Sequence, residues 1–234
     1  MPNTIRALLF DLDDTLYSRN AAFRRWAQEF VHNDLGLAED DQRCQEAVEH
    51  IIDLDEWGYS PREMLFRKIK EAHHPILQKS VDQLIETYNH QFLDHIRLEE
   101  ETQRLLTALK GAGLPFGIIT NGAISRQLHR IRVLGLDKLT SCIFISERFG
   151  CEKPDSAIFL AAAACLGYEP DDILFIGDHP QKDIWGARRV RMHTAWLHHQ
   201  REWPAELMET PPDYSIGSLG ELCALLTPNS TSSL

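Results

Sequence analysis

Five short apolar runs recur along this chain, and they constrain its fold more than any other feature. They occupy residues 5–10, 116–120, 142–146, 173–177 and 193–197. The runs are rich in Ile, Leu or Phe and are bounded by charges or turn residues, as is typical of strands buried on both faces. Patterns of helical periodicity separate the last four runs. Strands that alternate with helices predict a doubly wound α/β core with a parallel sheet.

Residues 18–96 break this alternation. Several apolar residues near the start of the segment fall at helical spacing: Phe23, Trp26, Ala27, Phe30 and Val31. Ser60-Pro61-Arg62-Glu63 has the form of a capping box with proline in the first turn, and the segment shows no strand pattern. We therefore predict an inserted all-helical domain. The predicted boundaries are an α/β core of residues 1–17 and 97–226, a helical domain of residues 18–96, and a disordered tail of residues 227–234.

Composition and charge argue against several classes of protein. The net charge is −11 and no stripe of Lys or Arg extends beyond a short run at residues 187–191, whereas nucleic-acid binders usually display a basic face. No apolar run approaches the roughly 20 residues that cross a bilayer, and Asp11 comes too early for a signal peptide. Five cysteines without a CxxC pair favour reduced thiols. We expect a cytoplasmic protein with neither a nucleic-acid polymer nor a membrane as partner.

Polar side chains follow the predicted strands at the points where those strands end. In open α/β sheets, ligands bind beyond the carboxyl ends of the strands, so these residues are expected at one edge of the sheet. They are Asp11, Asp13, Asp14 and Thr15 after the first strand, Thr120 and Asn121 after the second, Lys153 in the loop beyond the third, and Asp178 and Asp183 after the fourth.

Phosphoryl transfer through a carboxylate needs this combination of groups. An Asp oxygen can attack phosphorus and form an aspartyl-phosphate, which divides one difficult step into two easier ones. Mg²⁺ can offset the charge repulsion, while a lysine and small hydroxyl or amide donors stabilise the equatorial oxygens. A second carboxyl group can protonate the leaving oxygen and later activate water. Because residues i and i+2 of an extended segment point the same way, Asp11 and Asp13 are expected to face one site.

Four motifs, in their order along the chain, resemble those of the haloacid dehalogenase superfamily. They are DLDDT at residues 11–15, IITNG at 118–122, Lys153-Pro154, and IGDHPQKD at 176–183. The helical insertion after the first motif resembles the C1-type cap of subfamily I. The resemblance covers nearly the whole chain and implies a Rossmann-like core with a helical cap domain.

The resemblance also implies roles for the residues that bind and transfer phosphate. Asp11 would be the nucleophile and Asp13 the general acid and base. Thr120 would hold the phosphate with Asn121 nearby, and Lys153 would contact both phosphate and nucleophile.

The implied cofactor is Mg²⁺. The resemblance assigns its ligands to the side chains of Asp11 and Asp178 and to the backbone carbonyl of Asp13, with Asp183 in a supporting position. The implied activity is Mg²⁺-dependent hydrolysis of a small-molecule phosphomonoester through an aspartyl-phosphate. Nucleotides, flavin mononucleotide and sugar phosphates are the expected substrates, and the protein is expected to be a monomer or a homodimer.

Other activities of the superfamily are favoured less or left open. Dehalogenases lack the second acid of the first motif, so the presence of Asp13 argues against that reaction. Phosphonate hydrolases need a lysine in the cap, and the sequence alone places none of Lys68, Lys70 and Lys79 in a site. A phosphomutase with the same core chemistry remains an alternative, as does a non-catalytic sensor of a phosphate ligand.

A second DLD triplet, Asp53-Leu54-Asp55, lacks the context of the first. It lies in the helical segment and is not followed by Asp-Thr, so we interpret it as a loop or helix end without chemistry. The aromatic residues Trp57 and Tyr59 beside it could select a substrate by stacking on a ring, or could simply pack between helices. The adjacent pair His198-His199 is interpreted as surface histidines.

Overall fold

The computed structural model describes residues 5–39 and 41–222. The chain divides into two compact units, one formed by Met1–Tyr17 with Arg97–Leu234 and the other by Ser18–Ile96. The predicted tail at 227–234 lies outside the described residues. No helix in the described ranges is long and apolar enough to cross a membrane.

A parallel sheet forms the centre of the first unit. Its strands are β1 (Ala7–Phe10), β2 (Phe116–Thr120), β3 (Ile143–Ile145), β4 (Ile173–Gly177), β5 (His193–Leu197) and β6 (Tyr214–Ile216). Their order is β3-β2-β1-β4-β5-β6, and every neighbouring pair is parallel. The strands β2 and β3 follow β1 on one side of the sheet, and β5 and β6 follow β4 on the other side. This order confirms the doubly wound α/β fold and places a crevice at the carboxyl ends of β1 and β4.

Helices lie between the strands and also form the second unit. In chain order they are α1 (Arg19–Asn33), α2 (Gln42–Asp55), α3 (Arg62–Ala72), α4 (Val81–Gln91), α5 (Glu100–Gly111), α6 (Ile124–Val133), α7 (Ser146–Phe149), α8 (Ser156–Leu166) and α9 (Gly186–Arg189). The helix α8 ends at Gly167, which has φ +78°. Glycine reaches this left-handed conformation without the strain that a Cβ would cause, which explains the termination there.

The central strands are buried on both faces, as their continuous apolar sequence predicts. Every residue of β1 and β4 is buried. On one face, α8 packs against the sheet through an edge-to-face contact of Phe159 with Phe175, whose ring centroids are 5.1 Å apart. Side chains of a strand alternate between the two faces, so helical layers on both sides are needed to bury such a sheet.

An aromatic cluster forms the core of the second unit. Trp26 of α1 stacks on Phe30 at 5.1 Å between ring centroids and meets Tyr88 of α4 edge-on at 4.7 Å. Phe66 of α3 contacts the same indole at 5.7 Å. The apolar residues predicted to share one helical face in α1 are buried together, which confirms that interpretation of the sequence.

Three local features differ from the sequence-based expectations. The strand β6 was not predicted, because three residues after a proline-rich stretch show no periodicity. Pro180–Trp185 forms a wide π-helical turn before α9, not a regular helix start. The capping box expected at Ser60 is wrong: α3 begins at Arg62, and its N-cap residue is Pro61, which makes no side-chain capping hydrogen bond. A capping box does occur at Ser80 and Gln83, at the start of α4.

Candidate active site

The predicted polar residues of the first unit lie at the carboxyl edge of the sheet. Asp11 directly follows β1, Thr120 is the last residue of β2, and Asp178 directly follows β4. Lys153 lies between α7 and α8, on the connection that leaves β3. Parallel strands share the edge at which they end, so four separate segments supply one site.

Lys153 connects two of these carboxylates. Its Nζ lies 2.5 Å from Oδ1 of Asp11 and 2.6 Å from Oδ1 of Asp183, and all three side chains are buried. Burial by itself would lower the pKa of Lys153, but the charges of Asp11 and Asp183 raise it above its ordinary value. The lysine is therefore held as a cation inside the site.

Three carboxylates form a compact group, and Lys153 contacts two of them. One oxygen each of Asp11, Asp178 and Asp183 lies within 4.8 Å of the others. Burial raises the pKa of Asp11 to about 7, against the opposing charge of Lys153. Burial, together with the charges of Asp183 and Asp11, raises the pKa of Asp178 well above its ordinary range. Clustered, desolvated carboxylates repel one another, and a hard divalent cation that takes oxygen ligands would relieve that repulsion.

Asp13 makes a different set of contacts. Gln127 donates from Nε2 to Oδ2 of Asp13 over 2.8 Å, and Arg130 donates from Nη1 to Oδ1 over 2.6 Å. The hydroxyl of Tyr17 also donates to Oδ1. The same Nε2 lies 2.8 Å from Oγ1 of Thr120. The second acid of the motif is thus directed toward α6 and is linked through Gln127 to the end of β2.

Asn121 holds the backbone of Lys153. Its Oδ1 accepts from the N–H of Lys153 over 2.9 Å, and its Nδ2 donates to the carbonyl of Lys153 over 2.9 Å. The side chain therefore pins the loop that carries the lysine. A direct contact of Asn121 with phosphate stays a prediction.

The loop after β5 contributes residues that the sequence analysis missed. Arg201 donates from Nη2 to the carbonyl of Asp178 over 2.7 Å and lies 3.0 Å from its Oδ2. Nε2 of His199 lies 2.6 Å from the carbonyl of Asp14. His199 is half-buried and contacts the backbone of the first motif, which its interpretation as a surface histidine did not include. The strand-end argument used for the other strands, applied to β5, would have indicated this loop.

Gln127 and Arg130 were also missed. They lie one helical turn apart on α6, in a segment whose apolar positions alone were used to predict a helix. A buried polar pair on one face of a helix gives no distinct signal in a single sequence, because exposed Gln and Arg are common at the same spacing.

The second DLD triplet has a structural place within the helical unit. Asp55 is the last residue of α2, which confirms the interpretation as a helix end. Its side chain is buried and forms ion pairs with Arg19 and Arg62. Trp57 and Tyr59 follow it and are 57% and 52% exposed. Trp57 has φ +59°, a conformation rare for residues other than glycine. Their role in selecting a substrate stays a prediction.

A family comparison agrees with the fold and with the motifs. Residues 8–197 match the family described as haloacid dehalogenase-like hydrolase. The chain therefore belongs to the haloacid dehalogenase-like hydrolase family.

Proteins that are similar to this chain in sequence include phosphatases. The chain is 30% identical over 231 residues to the glyceraldehyde 3-phosphate phosphatase of Methanopyrus kandleri, an alignment that covers 93% of this chain and 95% of that protein. It is 28% identical over 206 residues to the phosphoserine phosphatase of Thermus thermophilus, covering 87% and 79%. A solved HAD-hydrolase, YfnB from Bacillus subtilis bound to magnesium, has a similar fold, with a TM-score of 0.74, 24% identity and coverage of 97% and 100%.

Proposed function

We propose that this protein is a Mg²⁺-dependent phosphomonoester hydrolase that forms an aspartyl-phosphate on Asp11. The observation that carries the proposal is the buried group of Asp11, Lys153, Asp178 and Asp183 at the β1/β4 crevice. The phosphatase relatives support the reaction class. The free thiols of Cys44, Cys142, Cys151 and Cys165 support a cytosolic setting.

The first step would be attack by Asp11 on phosphorus. Its Oδ1 is occupied by Lys153, and its Oδ2 receives a 3.4 Å contact from the hydroxyl of Thr15, so Oδ2 is the better candidate for attack. The P–O bond to the leaving group breaks as Asp13 gives a proton to the leaving oxygen. In the second step Asp13 takes a proton from water as that water attacks phosphorus, which releases phosphate and frees Asp11.

Lys153 and Thr120 would stabilise the phosphoryl group. The Lys153 ammonium lies beside Asp11 and is held there by Asp183 and by the Asn121 contacts to its backbone. Preorganised donors of this kind stabilise charge that develops on the equatorial oxygens.

The residues present fit a magnesium ion. Asp11, Asp178 and the backbone carbonyl of Asp13 would hold it, and Asp183 would support the site. Bound magnesium would supply charge neutralisation between the carboxylates and the phosphate.

The proposed substrates are small phosphomonoesters. Nucleotides, flavin mononucleotide and sugar phosphates belong in the test panel, together with the triose phosphate and phosphoserine named for the relatives. Trp57 and Tyr59 are the proposed specificity residues of the helical unit.

The test is phosphate release from this panel with Mg²⁺ and with a chelator, for the wild type and for Asp11→Asn. The matched control is Asp53→Asn, the first acid of the second triplet, whose side chain is exposed. We expect metal-dependent release that the first variant abolishes and the control retains. Turnover by Asp11→Asn would refute the mechanism. Relocation of phosphate on one substrate would instead identify a phosphomutase, and tight binding without release would identify a sensor.

A further inference from the structure

Gln127 and Arg130 form a buried polar pair on α6 that the reaction as described does not use. They are 3% and 7% exposed, and Arg130 donates from Nη1 to Oε1 of Gln127 over 3.2 Å. Burial of an amide and a guanidinium is costly unless both make good hydrogen bonds. Both side chains therefore need hydrogen-bond partners at this buried position of α6.

The pair holds both carboxylate oxygens of Asp13. Arg130 reaches Oδ1 over 2.6 Å, Gln127 reaches Oδ2 over 2.8 Å, and the Tyr17 hydroxyl donates to Oδ1 as well. A carboxylate whose two oxygens both accept hydrogen bonds cannot rotate freely about its Cβ–Cγ bond. The residue proposed as acid and base is thus fixed in place by a neighbouring helix.

Gln127 also reaches Thr120 at the end of β2. Its Nε2 lies 2.8 Å from Oγ1 of Thr120 and 2.9 Å from the carbonyl of Asn121. An amide nitrogen has two hydrogens, whereas Nε2 lies within hydrogen-bond distance of three acceptors: Thr120, Asn121 and Asp13. At least one hydrogen is therefore shared between two acceptors. When the Thr120 hydroxyl accepts from Gln127, its own hydrogen is left to donate to another group. Thr120 is buried at the edge where a phosphoryl group would lie.

We infer that Gln127 and Arg130 are positioning residues for phosphoryl transfer. Arg130 and Gln127 fix the carboxylate of Asp13 for proton transfer at the leaving oxygen, and Gln127 turns the hydroxyl of Thr120 into a donor toward phosphate. The inference rests on the proposed function, because it assigns these contacts to the acid and the phosphate donor of that reaction.

The first test separates proton transfer from general damage to the site. 4-Nitrophenyl phosphate has a leaving group that departs without a proton, whereas a primary alkyl phosphate needs one. For Arg130→Met, we expect kcat/KM to fall about 10- to 100-fold with the alkyl phosphate and about threefold or less with 4-nitrophenyl phosphate, since general acid catalysis matters only in the first case. Arg130→Lys, which returns a cation, should show a split of intermediate size.

Arg132→Met is the matched control, because Arg132 is exposed on the same helix. It should leave both substrates unaffected. Circular dichroism melting checks that each variant is folded, and Arg130→Lys gives the answer if Arg130→Met does not fold. Equal losses with both substrates, or no loss with either, would overturn the assignment of Arg130.

The second test measures binding of inorganic phosphate by titration calorimetry in the presence of Mg²⁺. Gln127→Met should weaken this binding about tenfold, because a hydrogen bond to a charged ligand is lost when Thr120 is no longer oriented. Arg132→Met should bind as the wild type does, and an unchanged affinity in Gln127→Met would overturn the assignment of Gln127. If the wild type releases phosphate from neither ester and from no member of the substrate panel, the proposed function fails, and the phosphate affinities still decide the positioning role of Gln127.

Discussion

Replacement of Asp55 by Asn is expected to lower the free energy of unfolding by about 3 kcal/mol at neutral pH, as is typical when one partner of a buried ion pair is removed. The Asp55 side chain is 2% exposed and that of Arg19 is 3% exposed, and two hydrogen bonds join them. Arg62 contributes a third, with Nη1 2.7 Å from Oδ1 of Asp55. One carboxylate therefore neutralises parts of two guanidinium groups.

The size of the effect follows from what remains after the substitution. The Arg19 guanidinium stays buried without the Asp55 charge, while the Phe23 ring, 4.8 Å away, continues to contact it. Asparagine keeps one oxygen that can accept a hydrogen bond from a guanidinium group, so we take the low end of the roughly 3–5 kcal/mol that a broken buried pair costs. For a chain of this length, that corresponds to a fall in Tm of about 6–12 °C.

The effect should depend on pH with a defined sign. Burial by itself would raise the pKa of Asp55, but the hydrogen bonds and charges of Arg19 and Arg62 lower it below its ordinary value. A carboxyl group with a lowered pKa stabilises the fold above its unfolded pKa of about 3.9. That contribution disappears as the pH falls through the folded pKa. The difference between wild type and Asp55→Asn should therefore be full at pH 7 and shrink below about pH 4.

Urea unfolding at a series of pH values measures both expectations. Asp53→Asn is the control, because its side chain lies in the same triplet and is exposed, and it should change the free energy of unfolding by about 0.5 kcal/mol or less. A loss below about 1 kcal/mol for Asp55→Asn would show that the pair does not behave as a buried ion pair. An equal loss at pH 3 and pH 7 would contradict the pKa argument.

Further predictions concern the site and the second core. In Gly177→Ala, the new Cβ would lie 2.5 Å from Cγ of Asp183, so Asp183 must move and phosphate release should fall about 100-fold, which steady-state kinetics would measure. Arg201→Gln removes a cation from Oδ2 of Asp178 and should tighten Mg²⁺ binding about tenfold by calorimetry; weaker binding would contradict this. Trp26→Ala should lower the free energy of unfolding by about 3–5 kcal/mol, read from urea midpoints.

The edge of the sheet that carries the candidate site was predictable from the sequence. Apolar runs identify strands locally, and strands separated by helices pair in parallel, so their carboxyl ends meet. Asp11, Thr120 and Asp178 could be placed together for that reason, before any side-chain contact was known. The first DLD triplet could be distinguished from the second because only the first follows a buried strand.

The contacts within the site could not be predicted in the same way. Asn121 binds the backbone of Lys153, and Asp183 shares Lys153 with Asp11. Each contact joins segments that lie about 30 residues or more apart along the chain. Their distances depend on how the loops close, which no local pattern records.

The sequence by itself determined the doubly wound core, the helical insertion and the identity of the acidic and basic groups at one edge, because hydrophobic periodicity and strand ends are properties of short segments. Only the tertiary structure decided that α6 holds Asp13 through Gln127 and Arg130, that Arg201 reaches Asp178, and that Asp55 binds two arginines. These choices depend on which polar groups become buried next to one another, since a buried polar group must find its partner wherever the packed chain brings one.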